Sequence, residues 1–512
     1  MLVAIPMFGQ VVTPDWDEDF KVSNDSVFKE FDDFVRQATN EFEDFRRQIN
    51  EEFSNFLAEA WKPMPTQPAE EPPEKPKPIA PVIAPSQQPR TIQLPNGSQD
   101  LRDADRPDLP VSPDLPPEQL ESVQIPFSGK FISPTTIVHP TPIEGIKVKP
   151  RPNDPVTTLR FFDTPLTFHL DKSKSPKLKD ATERSVADMW KQLADPYYDN
   201  IIAECLANAK WLNLCDWGYV LLTKQVAEAY CGKNTNEAVV MQMYLLTQSG
   251  YQVRIGRAEN SKFSLLLGSK AAIYKYKFFT MGSERFYILD RSLQDQPFFV
   301  FSHAFPQEKS LSLDIAQPKL TVAQTTERQV ASKRYPNVKA VIETNQNLID
   351  FYDTYPLNSE WNTYSRASLS DLVKEELYPL LRETIKDKSE TAAVNILLNF
   401  VQTAFPYKND RDQFGYERPL FPDETFYYPY CDCEDRSILF ACFVRELLGL
   451  DVVLLHYPGH LATAVRFAGE VEGDHLYVDG KKYLVCDPTY IGAELGRCMP
   501  QYKATDPTVQ TF

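Results

Sequence analysis

Between Ile438 and Leu448 the chain is apolar on nearly every helical face, and Gly449 stands where a C-terminal cap belongs. A helix with no polar side must be enclosed, so this segment demands a packed domain around it. The residues after it read as strands. Val452 to Tyr457 is β-branched and apolar, Pro458-Gly459 is a turn signal, and a second strand starts at His460 and runs to Val465. Leu476 to Val478, then Asp479-Gly480, then Tyr483 to Cys486 predicts a hairpin whose turn dipeptide favours positive φ. Asp487 ends the second strand of that hairpin, and Pro488 has no N–H with which to extend it.

Chemistry-bearing residues sit at the ends of these elements. Cys433 opens the apolar helix, where unpaired N–H groups and the positive dipole end favour a thiolate and can donate to a developing oxyanion. His460 is at a strand edge, and Asp487 is placed to reach a histidine on the neighbouring strand. A thiolate nucleophile, an imidazole that moves the thiol proton and a carboxylate that holds the imidazole tautomer form a complete acyl-transfer set without cofactor. Glu434 and Asp435 suit the first helical turn but would disfavour the thiolate unless they point away. Singly, each residue has an ordinary role: a small core hydrophobe, a satisfied core histidine, a turn former. Their order and local context argue for a joint one. Cys431 competes as nucleophile but lies in the loop before the helix, and His456 falls inside an apolar strand. Cys431, Cys433, Cys442 and Cys486 lack the paired spacing of a structural zinc site, so no metal is expected.

Asp432-Cys433-Glu434-Asp435 before an apolar helix, Gly459-His460 at a strand start and Asp487-Pro488 at a strand end together resemble the transglutaminase-like superfamily, which has a papain-like fold. The resemblance covers roughly the last third of the chain. It implies Cys433 as nucleophile, His460 as base and Asp487 as orienter. The family's oxyanion helper has no unambiguous counterpart, Gln413 in the preceding loop being the candidate.

A second copy of the pattern lies upstream. Placing Gly250 on Gly449 sets Asn234 opposite Cys433, lays Val239 to Leu246 on the apolar helix and aligns Phe286-Tyr287-Ile288-Leu289-Asp290 with Tyr483 to Asp487. Gly282-Ser283 then falls on the hairpin turn, and only Ser261 to Ser264 is available where His460 should be. The upstream copy thus keeps the carboxylate at Asp290 and has asparagine for cysteine, which implies an inert domain retained for packing or for holding a peptide in its former cleft. The copies differ in the approach to the helix. Upstream, a helix from about Trp217 to Tyr230 leads almost directly to it; downstream, a helix from about Glu390 to Phe405 is followed by a long loop to Cys433. Long loops in compact domains are usually lids or binding segments, so Tyr416, Arg418 and Tyr430 are candidates for a substrate cleft, with a packed Ω-loop as the alternative.

At 512 residues with net charge −17 the chain has room for two or three domains and is a poor match for nucleic acid. It has no glycine-rich phosphate loop and no apolar run long enough to span a bilayer. Residues 24–61 form a charged helix striped by Phe28, Phe31, Phe42, Phe45, Phe53 and Phe56, a pattern for self-association, as in a coiled coil, or for docking on a partner. Residues 62–124 are rich in proline and read as a disordered linker that tethers this helix at a distance. Leu2 to Phe8 resembles the end of a signal peptide within a leader at 1–23, which would make the protein periplasmic or secreted, and otherwise cytoplasmic.

These readings combine into an α+β protein with two helix-on-antiparallel-sheet, papain-like domains, 125–345 degenerate and 346–512 catalytic. The expected activity is acyl transfer on an amide of a peptide or protein, as peptidase, amidase or transglutaminase, with hydrolysis favoured because nothing marks an amine-acceptor site. The competing reading is a peptide-binding or scaffolding protein whose C-terminal site is unused.

Overall fold

The computed structural model describes residues 24–72, 131–132, 153–358 and 361–511. The leader at 1–23 with its Leu2–Phe8 stretch, and the proline-rich residues 73–124, lie outside the described residues.

The chain is α+β and its two halves carry the same sheet. Helix α1 (Asn24–Leu57) is followed by two short strands, β1 (Lys62–Met64) and β2 (Phe131–Ile132). The upstream half continues with the hairpin β3 (Val156–Phe161) and β4 (Thr164–His169), then helices α2 (Glu183–Leu193), α3 (Asp199–Trp211), α4 (Asp216–Cys231) and α5 (Asn236–Gln248). Strands β5 (Val253–Ala258), β6 (Phe263–Ser269), β7 (Phe278–Met281), β8 (Glu284–Ile288) and β9 (Phe298–Val300) complete it. A hairpin, β10 (Thr325–Ala331) and β11 (Lys339–Asn345), and helices α6 (Gln346–Asp353), α7 (Trp361–Ser365), α8 (Asp371–Ile385) and α9 (Glu390–Ala404) lead on to the downstream half. There the short helices α10 (Asp410–Phe414) and α11 (Pro422–Tyr427) precede α12 (Cys433–Phe443), and β12 (Val452–Tyr457), β13 (His460–Val465), β14 (His475–Val478), β15 (Lys481–Cys486) and β16 (Thr508–Gln510) follow it.

The upstream sheet runs β1-β9-β5-β6-β8-β7 and the downstream sheet β2-β16-β12-β13-β15-β14, antiparallel except where β2 joins β16. Each sheet therefore has the same order after its apolar helix. Both helices end on a glycine in the left-handed region, Gly250 at φ 88° and Gly449 at φ 65°. Both sheets turn a two-residue hairpin, at Gly282-Ser283 and Asp479-Gly480, the latter with φ of 49° and 73° as the Asp-Gly pair predicts.

The cores do not divide at residue 345. Val330, Val338 and Ile342 of β10–β11 lie in the downstream core, because that hairpin packs on α8 and α9, whereas Leu348 and Phe351 of α6 lie in the upstream core. The N-terminal segment also departs from expectation. The side chains of the stripe from Phe28 to Phe42 lie outside the described set, apart from Gln37 and Glu41 on its polar side. From Arg46 onward α1 docks on its own chain: Arg46 pairs with Asp199 at 2.6 Å, Asn50 Oδ1 accepts from Trp190 and Gln248, and Phe53, Leu57 and Trp61 are buried. Residues 62–64 then join the upstream sheet as its edge strand and Gln67 pairs with Phe278, so this part of the proline-rich stretch is packed rather than a tether. Proline is tolerated there because an edge strand leaves alternate N–H groups unpaired.

Candidate active site

Helix α12 begins at Cys433 because Asp432 caps it. The Asp432 carboxylate accepts from the Glu434 N–H at 3.2 Å, and Asp435 accepts from the Asp432 N–H at 2.9 Å, a reciprocal capping box. Asp435 also accepts from the Leu420 N–H at 2.9 Å, which ties the preceding loop to the helix start. It points back at the cap, away from the sulfur.

Strand register assembles the rest. Thr463 pairs with Cys486, so Asp487 comes opposite Ala462, and His460 lies two residues away on the same face. His460 Nε2 and Asp487 Oδ2 are 2.8 Å apart and both side chains are buried. Asp487 Oδ1 accepts from the N–H groups of Thr489 and Tyr490, which fixes the carboxylate. The Cys433 side chain also acts on the ring, favouring its charged form. Burial alone would lower the imidazole pKa; the Asp487 carboxylate and the Cys433 sulfur outweigh it and push His460 up to about 10. The three residues singled out in the sequence are thus brought together.

The other candidates fall elsewhere. Gln413, on α10, has both amide atoms enclosed without a hydrogen-bond partner and makes no bond to the triad. The Cys433 N–H makes no hydrogen bond among the described residues, which leaves it as an oxyanion donor at the helix start. Arg418 is buried and its guanidinium pairs with Asp353 and Glu424, at 2.6 Å each. It and Tyr416 line a cavity on the upstream half, together with Phe421, which stacks on Tyr352 at 4.4 Å. Tyr430 is half exposed with the Lys408 ammonium 5.3 Å from its ring centre. The loop between α9 and α12 packs Phe421 against α6 and brings Tyr416 to the upstream cavity, while Tyr407 at its start pairs with Cys431, two residues before Cys433. Cys431 stays buried and burial pushes its thiol pKa up, as it does for Cys442, to about 12.

Two contributors were not singled out from the sequence. Gln402 of α9 donates from Nε2 to the carbonyls of Asp487, Tyr490 and Ala493 at 2.8–3.1 Å, so it shapes the turn that carries Asp487. Tyr502 stacks on the His460 ring at 5.1 Å and 11°. A glutamine mid-helix and a tyrosine far along the chain carry no local signal of these roles. Glu434 Oε2 accepts from Cys433 Sγ at 3.2 Å, so this carboxylate does not point away. Cys433 is 4% and His460 2% exposed, with the Tyr502 ring over the imidazole.

The upstream half has the same geometry without the chemistry. Ala258 bonds Lys262 as Tyr457 pairs with His460, and Asp290 bonds Ser264 across the strands as Asp487 faces Ala462. Lys262 therefore occupies the histidine position and Asp290 the aspartate position. Helix α5 starts at Asn236 behind its Thr235 cap, so Asn236 rather than Asn234 takes the place of Cys433. Asn234 lies two residues earlier at φ 57°. The two-residue offset arises because α12 runs on into a turn of π-helix at 444–448 before its glycine.

No protein-family model, curated protein or solved structure matches this chain significantly.

Proposed function

We propose that the downstream half is a transglutaminase-like cysteine hydrolase or acyltransferase acting on amide bonds of a peptide or protein. The observation that carries this reading is the 2.8 Å His460 Nε2–Asp487 Oδ2 contact, with the Cys433 side chain acting on that ring from a helix N-terminus. The reactive form is the ion pair in which His460 holds the proton and Cys433 is the thiolate, and Sγ attacks the carbonyl carbon. The C–S bond forms as the carbonyl π pair moves to oxygen, where the Cys433 N–H receives it. Collapse breaks the C–N bond, and the leaving amine departs with the proton from His460. Water attacks the thioester with His460 as base, releasing the acid and restoring the thiol; an amine in place of water gives transamidation. On this view the upstream half is a degenerate copy of the same unit, inert because lysine and asparagine stand where imidazole and thiol would be.

The Glu434 contact and the burial of Cys433 favour a second reading, in which the site is a resting or unused thiol in a peptide-binding protein. Iodoacetamide labelling at pH 7 with peptide mapping separates the two. The catalytic reading expects Cys433 to react faster than Cys431, Cys442 and Cys486, and Cys433→Ala to abolish release of amine from a peptide library while leaving the fold intact. Labelling of Cys433 no faster than those buried thiols overturns it.

A further inference from the structure

A cavity of about 1090 Å³ lies on the upstream half around the counterparts of the triad positions, and residues of both halves line it. Asn236, Lys262 and Asp290, the counterparts of the triad, are on one side, and Tyr416 and Arg418 of the bridging loop are on the other. Its charges are unequal in standing. Asp353 and Glu424 are held by Arg418 at 2.6 Å, and Asp290 accepts from the Ser292 N–H and hydroxyl at 2.9 and 2.6 Å. The ammonium groups of Lys224 and Lys262 are exposed to the cavity and form no ion pair among the described residues. Lys275 reaches in from a left-handed backbone, φ 63°, and its ammonium lies 3.6 Å from the centre of the Tyr416 ring. A non-glycine residue held in that region is a local cost that surrounding structure must sustain. Arg291 and Glu228 also line the cavity, so its lining carries five cationic groups (Lys224, Lys262, Lys275, Arg291, Arg418) against four acidic ones (Glu228, Asp290, Asp353, Glu424), and on a chain of net charge −17 that local excess favours an anionic ligand.

We propose that this cavity binds an extended peptide bearing carboxylate side chains, which Lys224, Lys262 and Lys275 receive while the Tyr276 and Tyr416 rings pack against its apolar groups. The choice of a peptide rests on the proposed acyl-transfer reading, because the topologically equivalent cleft downstream is there assigned to an amide-bearing chain. The charge argument stands on the cavity alone.

The test uses the full chain as Cys433→Ala, so that binding is read without turnover. Fluorescein-labelled Glu-Tyr, Gln-Tyr and Lys-Tyr repeat hexapeptides are titrated by anisotropy at 50 and 200 mM salt. Trp217, in the cavity wall, gives a second, intrinsic readout. The Glu-Tyr peptide should bind at least about tenfold more tightly than the Gln-Tyr peptide and lose affinity with salt. Lys262→Glu should weaken it about tenfold, and Lys262→Arg should retain it. Equal affinity for the three peptides, or a Lys262→Glu protein that binds like its parent, overturns the proposal. So does saturable binding of an acidic hexasaccharide with none of the acidic peptide. Failure here leaves the Cys433 labelling result untouched, so the two readings fall separately.

Discussion

Asp487→Asn keeps the shape of the side chain and removes its charge, and its effect can be worked from the site. Burial opposes a charged imidazole at His460, and the Asp487 carboxylate 2.8 Å away is the largest influence acting the other way. Without that charge, desolvation should prevail and His460 should fall from about 10 to 6.5 or below. A fall of that size corresponds to roughly 5 kcal/mol between protonation states. At pH 8 the ring should change from almost wholly protonated to almost wholly neutral. Stability follows the same sign. A pKa raised on folding contributes stability that is complete below 6.5 and is lost as pH rises towards about 10. The unaltered protein should therefore lose up to about 3 kcal/mol between pH 6.5 and 9, and Asp487→Asn should lack that decline. The assay is imidazole titration by ¹⁵N-edited NMR, with six histidines to resolve and His460→Gln as the assignment control, alongside urea unfolding at the two pH values. If His460 in Asp487→Asn titrates within one pH unit of the parent, the ion-pair account of the site is wrong.

Three further substitutions probe the surroundings. Glu434→Gln removes a negative charge 3.2 Å from Cys433 Sγ, an interaction of about 1–5 kcal/mol, so alkylation of Cys433 at pH 7 should rise tenfold or more; a slower rate would mean that Glu434 assists the thiolate. Gln402→Ala strands three buried carbonyls and should cost about 2–4 kcal/mol in urea unfolding and slow Cys433 alkylation, whereas loss of stability with an unchanged alkylation profile would restrict Gln402 to a structural role. Phe421→Ala empties the contact with Tyr352, Tyr355 and Tyr364 and should cost about 3–5 kcal/mol; a loss below about 1 kcal/mol would show that the bridge between the halves is held elsewhere.

What could be read from the sequence was local. The strands Val452–Tyr457 and His460–Val465 begin and end where β-branching and the Pro458-Gly459 turn place them, and the Asp479-Gly480 hairpin fixes the register that carries Asp487 to His460. Those signals depend on neighbours in the chain, so a linear reading captures them. The bridging loop does not work that way. Its aromatic residues suit a substrate wall and a packed core equally well as sequence, and only the proximity of α6 decides that Phe421 enters a cage of tyrosines and Arg418 finds two carboxylates. The proline-rich stretch misled for a related reason, since an edge strand tolerates proline and residues 62–64 are one.

Under the proposed reading, the shared strand order gives the two halves different tasks. Registers upstream and downstream carry one position of each triad pair to the same place, Lys262 for His460 and Asp290 for Asp487. An exposed lysine at the upstream site cannot orient or deprotonate a thiol that is absent, yet it can hold a carboxylate in a cleft that the fold still forms. Downstream, the same position is 2% exposed and its neighbour Cys433 4%, so that site is suited to excluding water around one bond. The bridging loop meets the α12 start through the Leu420 N–H, which bonds Asp435, and the upstream cavity through Tyr416.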